Sequence, residues 1–98
     1  MGHNFEELEV WKRSCKFAVH LFLLLKDCKE YGLKDQMTRA VVSIPSNIAE
    51  GSERDSTKEF NKFLNYAKGS AAELRTQLYI SQAIGILKKN DVITFKKN

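Results

Sequence analysis

The apolar residues of this chain recur at helical spacing over three long stretches, and little between them could turn the backbone often enough to build a sheet. One proline and five glycines in 98 residues are too few for the frequent turns of an all-β domain. The spacing predicts an all-α chain with helices over about residues 7–29, 33–50 and 57–87. A helix-start signal, Asn90-Asp91, precedes Val92, Ile93 and Phe95, so a short fourth helix is expected from about residue 91. With 43% hydrophobic residues, the span 1–98 suffices for a single domain with one modest core.

The first helix carries more apolar surface than one core needs. Leu8, Trp11, Cys15, Ala18, Val19, Phe22 and Leu25 form one stripe, and Val10, Phe17, Leu21 and Leu24 form a second, read here as lying on the opposite side. The second stripe asks for a partner outside the protomer, so a homo-oligomer is expected. In the second helix Leu33, Met37, Ala40, Val41, Ile44 and Ile48 share a face, and Pro45 within that pattern predicts a kink, or a restart with Ser43 as a local cap. Beside the face runs a polar row, Gln36, Arg39, Ser43, Asn47 and Glu50, read as an interhelical hydrogen-bond seam rather than a ligand strip.

The third helix is the longest, with Phe60, Phe63, Leu64, Ala67, Ala71, Leu74 and Leu78 as its core stripe and a slim middle at Ala67, Gly69, Ala71 and Ala72. Beyond Leu78 the pattern widens through Tyr79, Ile80, Ala83, Ile84, Ile86 and Leu87, which predicts cover by a neighbouring subunit. The oligomer interface is therefore expected at Val10, Phe17, Leu21, Leu24, Tyr79, Ile80, Ala83, Ile84 and Leu87. In the corner between helices two and three, Gly51 is expected as a left-handed cap, Ser56 and Glu59 as a capping box, and Arg54 as a partner for Glu50.

That corner, GSERDST, lacks the spacing of a phosphate-cradling loop. His3 and His20 are the only histidines, and no HExxH or G-x-S-x-G arrangement occurs, so the chain is not expected to be an enzyme. Cys15 and Cys28 stand apart without a CxxC or a Cys/His cluster and read as packed thiols; no metal, cofactor or small-molecule substrate is expected. The longest apolar stretch, Phe17 to Leu25, is broken by His20 and too short for a membrane span. Acids precede the first apolar run, unlike a secretory signal, and the expected location is cytoplasmic.

Charge is uneven: residues 1–56 carry a net −1 and residues 57–98 a net +5. Lys58, Lys62, Lys68, Arg75, Lys88, Lys89, Lys96 and Lys97 are the candidates for contacts with the phosphates of RNA or DNA. The alternative is a protein-interaction scaffold that uses the apolar surplus alone.

The segments FEELEVWKRS and DQMTRAVVSIPSNIAEGSERDSTKEFNKFLNYAKGSAAEL resemble the four helix bundle proteins, also called 23S rRNA intervening sequence proteins, over roughly residues 5–88. The carrying motif pairs S-I-x-x-N-I-A-E-G with F-x-x-F-L-x-x-A-x-G-S-x-x-E-L. The resemblance implies an antiparallel up-and-down bundle, usually pentameric and bacterial. It extends to the accessory variability protein of diversity-generating retroelements, a basic pentamer that engages nucleic acid. This sequence departs from the pattern by lacking most of the fourth helix.

Overall fold

The structure is a computed structural model that describes residues 4–88 and Asp91. It is all-α: a 3₁₀ turn at Phe5–Glu7 leads into α1 (Glu9–Leu24), α2 (Tyr31–Ser52) and α3 (Thr57–Ala83). The expected fourth helix, with Val92, Ile93 and Phe95, lies outside the described residues. The body measures 44 × 20 × 20 Å, an elongation set by α3, whose 27 residues rise about 40 Å.

Local chemistry explains each boundary. The Asn4 side chain accepts the Glu6 amide at 3.2 Å, and Phe5 stacks edge-on to Trp11 at 5.2 Å between centroids, which fixes the entry into α1. That helix stops well short of residue 29. The Leu25 and Cys28 amides turn back onto the Leu21 and Leu25 carbonyls, and Lys34 Nζ reaches the Lys26 carbonyl at 3.2 Å, so a turn replaces the last expected helical residues. Helix α2 takes Tyr31 and Gly32 into its first turn and then runs through Pro45 without a break. Ser43 does not restart it: the Ser43 hydroxyl faces Ser70 at 2.8 Å instead. Ser56 caps α3 as its spacing predicts, accepting the Glu59 amide at 3.1 Å.

Two glycines act differently from expectation. Gly51 is not a left-handed cap but lies within α2, where a β-carbon would stand 2.7 Å from Cβ of Phe63 and 3.0 Å from Cδ1 of Phe60. Here α2 and α3 approach closely, and a hydrogen atom is what fits. Gly85 takes the capping role, with φ at +85°. The Gly85 amide bonds the Gln82 carbonyl at 3.1 Å and the Ile86 amide bonds the Ser81 carbonyl at 2.9 Å, the paired closure of a left-handed helix terminus. That turn ends α3 at Ala83 rather than 87 and sends Leu87 back into the core.

Helices α1 and α3 both pack along α2, and all three contribute to one core: Ala18, Leu21 and Leu25; Met37, Ala40 and Val41; Leu74 and Leu78; and Leu87 beyond the turn. Burying each of these leucines contributes about 1.5–3 kcal/mol. Contacts between α2 and α3 run Met37 with Ser81, Ser43 with Ser70, and Gly51 with Phe63, so residue numbers rise along one helix as they fall along the other.

The two stripes of α1 need correcting. They adjoin on the helix wheel, and Ala18, Leu21 and Leu25 fill an arc of about 60° where they meet. That junction is what faces the core, with Leu21 wholly buried and Phe17 and Leu24 packed against its edge. The surplus is the other flank, Val19, Phe22 and Leu23, exposed at 60%, 46% and 67%; Val19 and Phe22 belong to the stripe read as core, and Leu23 to neither stripe.

Candidate nucleic-acid interface

Helix α3 turns Ala67, Leu74, Leu78 and Ser81 inward, and its outward side carries the basic residues. Lys58, Lys62, Lys68 and Arg75 are all exposed and occupy an arc of about 140° on the side away from the core. The two acids of the helix, Glu59 and Glu73, fall outside that arc by register. Among the described residues none of the four bases makes an ion pair; Arg39 pairs with Asp35 at 3.0 Å and Arg54 with Glu50 at 3.1 Å, each across four residues and away from this face. The cationic face is therefore uncompensated. Lys88 is exposed just beyond the α3 turn, while Lys89, Lys96 and Lys97 lie outside the described residues.

The polar row of α2 divides. Ser43 bonds Ser70 of α3, and Asn47 Nδ2 donates to the Ser43 carbonyl at 2.8 Å and to its hydroxyl at 2.9 Å, so these two stand between the helices. Gln36 is exposed, and Arg39 and Glu50 spend their charges on Asp35 and Arg54. The Arg54 guanidinium also sits 4.7 Å from the Phe63 ring centroid, which ties the corner to α3. Ser70, the partner that gives Ser43 its role, was not singled out in the sequence, where it reads as one more small residue in AKGSAA.

The expected interface residues scatter. Leu21 and Leu87 are corrected outright, being core residues at 0% and 4% exposure. Phe17 and Leu24 are half-buried, Val10 is exposed, and Tyr79, Ile80, Ala83 and Ile84 are exposed at the end of α3. The apolar surface that sequence reasoning missed lies between α1 and α2. There Cys15, Ala18, Val19, Phe22, Leu23, Val42 and Pro45 line an open groove of about 400 Å³. Burial pushes the Cys15 thiol up from its ordinary range, so it stays protonated as part of that lining.

Among the described residues no cluster of His, Cys, Asp or Glu is arranged to hold a metal ion. No helix of the described residues is long and apolar enough to cross a membrane. Fold and surface thus define a small all-helical protein with one long helix basic on its outer side and an apolar groove between the other two. The chain belongs to the 23S rRNA-intervening sequence protein family, whose model matches residues 6–98. That family is not a known enzyme family. No curated protein matches the chain.

Proposed function

We propose that the chain is a non-enzymatic, homo-oligomeric helical bundle that holds the phosphates of RNA or DNA on the outward face of α3 and the basic tail. The observation that carries this reading is the set Lys58, Lys62, Lys68 and Arg75, exposed together without ion-pair partners. Unpaired cations on one face attract a polyanion through counterion release and do so with little regard to base sequence. The opposed numbering of the α2–α3 contacts supports an antiparallel arrangement. Membership of a family named for an insertion in ribosomal RNA is consistent with a nucleic-acid partner.

Salt tests it. Four neutralised phosphates give a slope of about −3 to −4 in log K against log salt, a loss of about 50- to 150-fold between about 50 and 200 mM. An affinity for a generic oligonucleotide that barely moves over that range, or no binding at the low end, removes the reading.

The α1–α2 groove favours a second reading, a scaffold that docks protein partners without nucleic acid. Its four exposed members, Val19, Phe22, Leu23 and Val42, form an apolar set around one groove that the three helices leave uncovered. In the homo-oligomer the same set serves as the contact between copies.

A further inference from the structure

Tyr79 is 71% exposed and makes no hydrogen bond or ring contact among the described residues. The sequence groups it with Ile80 and Ile84, but helical register separates them. Its side chain leaves α3 about 100° from Ile80 and about 140° from Ile84, yet within about 40° of Lys68 and Arg75. The ring stands in the cationic strip, not on the apolar flank. The strip is low beside the ring: the exposed Ala72, about 20° from Tyr79 in register, lies between Lys68 and Arg75 in sequence.

We propose that this face binds single-stranded nucleic acid, with Tyr79 stacking on one base while Lys68 and Arg75 hold phosphates of the same strand. The inference rests on the phosphate-binding reading above and names the ligand class. Phosphate attraction by itself gives no use for a bare aromatic ring. In a duplex each base is already covered by its neighbours, whereas a single strand presents free base faces, and a ring beside cations is the arrangement that engages them without reading sequence. The short Ala72 side chain lets such a strand lie close enough for ring and bases to meet.

Fluorescence anisotropy of a labelled single strand of about 20 nucleotides, and of a duplex of equal length, tests this at fixed low salt. Tyr79→Ala is expected to weaken single-strand binding by on the order of 5- to 150-fold, the loss of one stacked base, and to leave duplex binding within about 2-fold. Tyr79→Phe, which keeps the ring, is expected to bind like the parent. An abasic strand is expected to bind the parent as weakly as the ordinary strand binds Tyr79→Ala. Equal single-strand binding by parent and Tyr79→Ala overturns the stacking role, as does a Tyr79→Phe chain that loses as much as Tyr79→Ala. A Tyr79→Ala chain that sediments at lower mass than the parent also overturns it and assigns the ring to a subunit contact. If the parent binds neither probe, the phosphate-binding reading itself falls; if the parent binds and keeps its salt slope while Tyr79→Ala changes nothing, the stacking alone falls.

Discussion

Replacing Gly51 and Gly69 by alanine should move stability in opposite directions, although both glycines lie inside helices. At Gly69 nothing stands within 4 Å of the added carbon, so Gly69→Ala gains the ordinary helical preference of alanine, about 1 kcal/mol. At Gly51 the carbon would sit 2.7 Å from Cβ of Phe63 and 3.3 Å from the Phe60 carbonyl oxygen, against about 3.5–4.0 Å for carbon atoms in contact. Both obstacles sit on or next to the α3 backbone, so no side-chain rotation relieves them and α2 must move away from α3. Overpacking of this kind costs about 1–3 kcal/mol. A collision with a β-carbon and a carbonyl belongs at the upper end, which leaves a net loss of about 1–2 kcal/mol after the helical gain of about 1 is subtracted. The two variants should therefore differ by about 2–3 kcal/mol, or about 10–20 °C in melting temperature for a chain of this length. Urea titration at one protein concentration reads the difference as midpoints shifted either side of the parent with a common slope. A Gly51→Ala chain at least as stable as Gly69→Ala would refute the close approach of α2 and α3.

Gly85→Ala forces an L side chain to φ +85° and should cost about 1–2 kcal/mol; a thermal melt matching the parent would mean that the left-handed closure after α3 does not form. Val19→Glu combined with Phe22→Glu should drive the proposed assembly to monomers in sedimentation while the helical circular dichroism persists, because both residues are exposed in the protomer; an unchanged mass would clear that flank of any role between copies.

Helix existence was legible because a 3.6-residue apolar rhythm survives any packing arrangement, and the core members of α2 and α3, such as Met37, Val41, Leu74 and Leu78, could be read from it directly. The end of α3 was misplaced because apolar residues continue past it. Ile86 and Leu87 keep the rhythm while Gly85 breaks the backbone, and a glycine followed by hydrophobic residues is the pattern of a chain folding back on its own helix. Gly51 misled in the opposite way: it stands where a cap belongs, but Phe60 and Phe63, nine and twelve residues further along the chain and on the next helix, decide its role. Periodicity on α1 showed how much apolar surface there is but not where its centre lies, since an arc this wide fits a core at any point along it. The basic face was easier, because uncompensated lysines need only register to be placed, whereas the Ser43–Ser70 bond needs two helices to be docked first.

The apolar and cationic surfaces sit on different helices, and this bears on how an assembly would hold a strand. Val42 of α2 lines one groove with Phe22 and Val19 of α1, whereas Ser43, Asn47 and Gly51 of α2 lead to α3. Copies joined through the α1–α2 flank would leave every α3 face outward, so association adds binding faces without covering any. Each further face engaged by the same strand then acts at high effective concentration and tightens binding with no new kind of contact. The salt slope separates the cases, because it counts phosphates. One described face supplies four bases, Lys58, Lys62, Lys68 and Arg75, so a slope near −3 to −4 corresponds to one protomer per strand. A steeper slope that returns to about that value in the Val19→Glu, Phe22→Glu chain would assign the excess to neighbouring copies. If the steep slope persists in that chain, the additional phosphates are held within one protomer, and the basic tail is the segment of the sequence with the charge to hold them.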